Sequence, residues 1–139
     1  MEYSGTTADV LSYIKANFGA DPEFLWAKTP NNAAFRHYRT RKWFAALLLD
    51  LPRKTLGLSE PGRVDILNLK CDPLMIGSLM DGKRFLPGYH MNKEHWITVL
   101  LDGSIPPEEI FPLIDLSYAL TGKAASSRKR SAQPSEQEV

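Results

Sequence analysis

The chain has 139 residues, 43% hydrophobic and 24% charged, with a formal net charge of +1. That size holds one hydrophobic core and not two comfortable ones. The longest apolar runs, such as WFAALLL (43–49), fall far short of the roughly 20 residues a membrane span needs. MEYSGTTADV lacks the basic flank and apolar stretch of a secretory signal. Cys71 is the only cysteine, so neither an intrachain disulfide nor a cysteine-based zinc cluster can form, and the cytoplasm is the expected setting.

Charge is unevenly placed. Residues 123–139 hold Lys123, Arg128, Lys129 and Arg130 against Glu136 and Glu138, leaving 13 basic and 14 acidic residues in the body. A nearly neutral body is not the broad basic footprint of a strong nonspecific nucleic-acid binder, so any such role must rest on local clustering.

TTADVLSYIKANFG (6–19) predicts a helix capped by Thr6 or Thr7, with Val10, Leu11, Ile14 and Phe18 on one apolar face. EFLWAKT (23–29), AAFRHYR (33–39) and KWFAALLLD (42–50) read as strands, the last two joined by a hairpin at Thr40–Arg41. Residues 51–63 read as a loop with a half-turn, and RVDILNLK (63–70) as a fourth strand. DPLMIGSLM (72–80) fits a short helix with Asp72 as cap and Pro73 at its first position. After a loop over 81–89, HWITVLLDG (95–103) has strand composition. A last helix begins near SIPPEEI, with Leu113, Leu116 and Leu120 as a buried stripe flanked by Ile110 and Ile114, and a kink or late start at Pro112. Residues 124–139 carry no periodic apolar signal and read as a disordered tail. Hairpin-joined strands with helices grouped around them argue for an α+β layer.

The sharpest chemical lure is PGYHMNKEHW (87–96), which sets His90 and His95 five residues apart. That spacing is neither the i, i+4 pair of a zinc protease nor a zinc-finger spacing, and HMNKEH is not HExxH. Ser78, Ser104 and Ser117 lie in no G-x-S-x-G turn, and no glycine-rich phosphate loop is present. The expectation is therefore no enzyme, no metal and no cofactor. FRHYRTRKWF (35–44) instead concentrates Arg36, Arg39, Arg41 and Lys42 around the hairpin tip, where guanidinium groups can meet successive phosphates. On a regular hairpin Arg36 and Tyr38 would share one face, and His37 and Arg39 the other. Lys83, Arg84 and Lys93 form a smaller basic group, which Arg53 and Lys54 would extend only if the loops converge.

KWFA (42–45), VDILNLKCDP (64–73), PGYHMNKEHWITVLLDGSIP (87–106) and LIDLSYALT (113–121) resemble the MmcQ/YjbR family of small bacterial proteins, in order, over about residues 6 to 122. The resemblance covers one domain, taken as 1–122, and leaves 123–139 outside it as a basic, polar tail. It implies a two-layer α+β fold, similar to the type III secretion chaperone fold, with helices packed on an antiparallel sheet. Members are commonly named DNA-binding proteins, so DNA is the partner it implies. The expected contacts are Arg36, Arg39, Arg41, Lys42, Lys83, Arg84, His90, Asn92 and Lys93, with Tyr89, His95 and Trp96 completing the signature segment. The alternative is a protein-interaction or chaperone-like module with no nucleic-acid role.

Overall fold

The computed structural model describes residues 5–82 and 84–123; the expected tail from Ala124 onward and Lys83 lie outside the described residues. In chain order come α1 (Gly5–Phe18), β1 (Ala33–Arg36), β2 (Trp43–Pro52), a 3-10 turn (Arg53–Leu56), β3 (Arg63–Lys70), α2 (Pro73–Leu79), β4 (Phe85–Pro87), β5 (Trp96–Leu100) and α3 (Pro107–Thr121). The strands form one sheet in the order β1-β2-β3-β5-β4, antiparallel at every pairing. This is the α+β architecture expected from the sequence.

The two sheet faces are covered differently. On one, Phe35, Leu47, Leu67, Leu69, Ile97 and Val99 pack with Val10 and Ile14 of α1 and Ile110, Leu113 and Ile114 of α3. On the other, Trp43, Ala46, Leu48, Ile66, Trp96 and Leu100 are covered by connecting segments, through Trp26, Leu56, Leu58, Tyr89 and Met91. With both faces buried, β2 can be the unbroken apolar run WFAALLL, where a half-exposed strand would alternate. Where the β2–β3 ladder runs out beyond Ala45↔Leu69, Ser117 of α3 takes its place. Its hydroxyl accepts from the Lys70 N–H (2.9 Å) and donates to the Phe44 carbonyl (2.6 Å). A buried serine thus pairs two backbone groups that would otherwise be costly orphans.

Several expectations are corrected. Residues 23–29 are not a strand: one bridge joins Glu23 to Ala34, and turns follow in which Thr29 donates to the Trp26 carbonyl and Asn32 to that of Thr29. Pro22 and Pro30 bracket the segment and cannot donate to a ladder, while Trp26 folds inward, edge-on to Trp43 at 5.7 Å. β1 stops at Arg36, not at residue 39, and the turn spans 37–42, closed by His37 N–H to Lys42 O (2.7 Å) and Arg41 N–H to His37 O (3.0 Å). Arg41 takes a left-handed φ of 63° there, which bends the chain more widely than a two-residue turn. Thr6 and Thr7 lie inside α1, and the Thr7 hydroxyl donates to Asp65 (2.8 Å). The loop over 81–89 contains the short edge strand β4, and β5 is shorter than 95–103. The last helix begins at Pro107 and runs through Pro112. Its stripe is only half buried: Leu113 is enclosed, but Leu116 is 43% exposed and Leu120 partly so.

Candidate functional site

The antiparallel register brings three segments to one end of the sheet: the 37–42 turn between β1 and β2, the end of β3 at Lys70, and the 88–95 loop between β4 and β5. Of the basic residues noted in the sequence, the turn and Lys93 therefore share an end, with one strand between them, while Arg84 precedes β4 and lies at the opposite end, its carbonyl accepting the Leu100 N–H.

Within the turn, however, the basic side chains are largely engaged. Arg36 donates to Glu23 (3.0 Å) and to the Arg41 carbonyl (2.9 Å), with its guanidinium 6.0 Å from the Trp43 ring centre. Arg41 reaches the other oxygen of Glu23 (3.4 Å). Arg39 donates to the Gly122 carbonyl (2.9 Å), Thr40 to that of Thr121 (2.7 Å) and Lys42 to that of Lys123 (3.4 Å). The Thr121 and Gly122 carbonyls lie at the negative end of α3 and its cap, where donors and positive charge are both favourable, and that of Lys123 lies just beyond. His37 seals the contact. Its ring stacks on Tyr118 at 3.9 Å and its Nδ1 accepts the Arg39 N–H (3.0 Å). Burial, then the nearby Arg39 charge, hold its pKa below the usual histidine value. Arg36 and His37 do diverge as alternation requires, but Tyr38 points to solvent and Arg39 turns to the helix end, because the strand has already stopped.

The signature loop is built the opposite way, tied from below and open above. Asn68 of β3 and Thr98 of β5 are cross-strand partners. Thr98 donates to the Asn68 side chain (2.5 Å) and accepts the Tyr89 N–H (2.8 Å), while Asn68 donates to the Tyr89 carbonyl (3.1 Å). Gly88 is set by close approach: a Cβ there would meet that of Trp96 at 2.8 Å. Asn92 accepts the Glu94 N–H (2.9 Å), Lys93 donates to the Gly88 carbonyl (2.9 Å), and the His95 carbonyl accepts from Cys71 (2.7 Å). His90 takes a left-handed φ of 59° and stacks on Tyr89 at 4.0 Å. His90, Asn92 and Lys93 are exposed, while Trp96 is buried beneath. Asn68 and Thr98 were missed in the sequence. Two polar residues inside apolar strands were the only signal, and the register that pairs them is not written locally.

Lys70 lies between the two segments. Its ammonium sits 5.7 Å from the Trp96 ring centre, and its pKa is lowered, first by burial and then by the charge of Lys42. Of the remaining cations, Arg84 pairs with Asp81 (3.4 Å) and Arg53 with Asp102 (3.2 Å). Among the described residues, no group of three or more His, Cys, Asp and Glu side chains is placed to hold a metal ion. Cys71 is buried, and burial pushes its thiol pKa up.

A second surface lies along α3. A groove of about 430 Å³ opens between α2 and α3, with Leu74 and Met75 on one wall, Leu113, Leu116 and Leu120 on the other, and Leu69, Cys71 and Ile97 in the floor; Lys70 and Asp72 also line it. Leu74 on its lip is 89% exposed.

The YjbR family model matches residues 16–120. The chain belongs to the YjbR family. It is 44% identical over 116 residues to the uncharacterized protein YyaQ of Bacillus subtilis, covering 84% of this chain and 98% of that one. It is 46% identical to Escherichia coli YjbR over a 44-residue stretch, 32% of this chain and 37% of that one. A crystal structure of a Pseudomonas syringae protein, 41% identical, superposes with a TM-score of 0.77 over 82% of this chain and 97% of that one. A Deinococcus radiodurans protein, 25% identical, gives 0.64 over 94% and 86%. The YjbR match takes in the turn, the signature loop and the groove alike. No helix among the described residues is long and apolar enough to cross a membrane.

Proposed function

We propose that this YjbR protein is a DNA-binding module that contacts phosphates at the end of the sheet carrying Lys42, Lys70 and Lys93. The observation that carries the reading is the register, which gathers the 37–42 turn, the end of β3 and the 88–95 loop at that end. Lys70 has a positive neighbour in Lys42 and a tryptophan face beneath it. A phosphate at each ammonium group would relieve their repulsion and accept a charge-assisted hydrogen bond, Lys42 exchanging its 3.4 Å contact with the Lys123 carbonyl for it. His90 and Asn92 present further polar groups on the same loop. The arginines of the turn have the different task of fastening it to α3 and Glu23. The role is binding, in the cytoplasm, without catalysis or cofactor.

The body is almost neutral, so the contacts are few and affinity should be moderate and salt-sensitive. Each phosphate neutralised contributes about −0.9 to the slope of log K against log salt. Replacing Lys42, Lys70 and Lys93 with alanine should weaken binding to a short DNA duplex and flatten the slope by about three such contributions. A slope unchanged in the triple variant, measured by fluorescence anisotropy over a salt series, would overturn the assignment. A protein-interaction role is supported by the adjoining α2–α3 groove, which Lys70 also lines.

A further inference from the structure

We propose that the α2–α3 groove is the docking site for a cationic amphipathic helix of a protein partner. The groove shares Lys70 with the DNA reading, but docking rests on the leucines and the acidic lip and survives that reading's failure.

Three features set the occupant. The first is apolar surface on offer. α2 buries none of its residues fully, Leu74 is 89% and Leu116 43% exposed, and their side chains border a groove that can take apolar side chains from outside. The second is charge. Beyond Leu113 the groove continues into a depression of about 570 Å³ that Asp81, Glu108 and Glu109 border, with Leu79 and Pro112 between them. Arg84 is the described cation there, 3.4 Å from Asp81 and 4.0 Å from Glu109. Among the described residues the carboxylates outnumber it, so the apolar groove ends in a negative lip, while Lys70 and Asp72 offset one another within the groove. The third is spacing. Glu109, Leu113, Leu116 and Leu120 fall at i, i+4, i+7 and i+11 of α3, one face about 16 Å long. A helix laid along it would present apolar residues over two turns and a lysine or arginine one turn further, the usual geometry of a helix in a groove.

Nucleic acid is repelled by the lip. A small molecule would find Lys70 and Asp72 as polar partners within the groove but would leave the acidic lip unmatched. A second copy has Phe24 and Leu25 to offer, which are 57% and 45% exposed, with Lys28 close by in sequence, and would show itself as self-association.

The test uses two labelled 14-residue synthetic helices with leucine at positions 2, 6 and 9, one with lysine at positions 12 and 13 and one with glutamate there. Their binding to the full chain, to Leu116→Glu and to the double variant Glu108→Lys/Glu109→Lys is read by fluorescence anisotropy. Circular dichroism serves as the folding control. The native chain should bind the lysine helix at least ten-fold tighter than the glutamate helix. Leu116→Glu should lose both, and the double variant should reverse the preference. Undiminished binding to Leu116→Glu, or no binding of either helix to the native chain, overturns the groove as a docking site. Equal affinity for the two helices leaves an apolar groove but overturns the cationic partner. Concentration-dependent self-association that Phe24→Ser abolishes assigns the groove to a second copy and overturns the proposal.

Discussion

The C-terminal end of α3 and its flank face the same solvent and are built on opposite terms. At the end, the most charged stretch of the body is drawn inward. Arg39, Thr40 and Lys42 satisfy helix carbonyls, and His37 lies flat on Tyr118. Along the flank, leucines that read as core are left at the surface because α2 is too short to cover them. A dense run of cations is therefore no measure of charge available to a ligand when helix carbonyls and a carboxylate lie within reach. An apolar surplus on a helix does measure surface available to a partner. Substitutions of the turn arginines, His37 or Gly122 at the helix end should change stability, and substitutions on the flank should change binding of a helix in the groove.

The largest effect on that contrast is expected from Gly122→Ala. The glycine has an ordinary helical φ of −83°, but an added Cβ would lie 2.6 Å from Nε2 of His37. The ring is buried and held by Tyr118 and the Arg39 N–H, so it cannot move aside cheaply. Overpacking of this kind costs about 2 kcal/mol, readable as a lower urea midpoint, with binding of the lysine helix to the groove retained. A midpoint equal to the native one would mean that the turn is not docked on α3.

A smaller effect comes from pH. The folded chain holds the His37 pKa down by burial and by Arg39, so the unfolded chain binds the proton more readily. The stabilisation is complete above the unfolded value near 6.5 and is lost as pH falls from there towards the folded pKa. Between pH 7.5 and 5 the native chain should therefore lose more stability than His37→Gln, compared by urea unfolding at each pH. Parallel losses in the two proteins would remove His37 from the account.

The smallest effect on stability belongs to Leu74→Gln. At 89% exposure the side chain has little burial to lose, so unfolding should shift by less than about 0.5 kcal/mol, while affinity for the lysine helix falls. A large stability loss would mean that α2 packs more firmly than its exposure implies.

Much of the fold was legible because local chemistry wrote it. Asp72 and Pro73 start α2 as expected, with Asp72 accepting the Leu74 N–H at 2.9 Å. Val10 and Ile14 face the core at the spacing that predicted them. β3 keeps the limits read from its composition. The segment 23–29 misled because its apolar residues are divided, Phe24 and Leu25 outward and Trp26 inward, and composition does not say which way a side chain turns. Of the candidate site, the loop of Tyr89 to Trp96 could be singled out by its residues, but not the Asn68–Thr98 pair beneath it, since cross-strand partners lie 30 residues apart.

By itself the sequence determined the α+β class, most of its helices and strands, the family and the two segments rich in cations. Those follow from periodicity, capping and residue type, which act over a few positions. Only the tertiary structure decided which cations are engaged, that Lys42 and Lys70 share an end of the sheet, and that Leu116 and Leu120 border a groove. Each depends on what lies opposite in space. A charge is neutralised, or an apolar face covered, by whatever the register of the sheet and the length of the neighbouring helix bring against it.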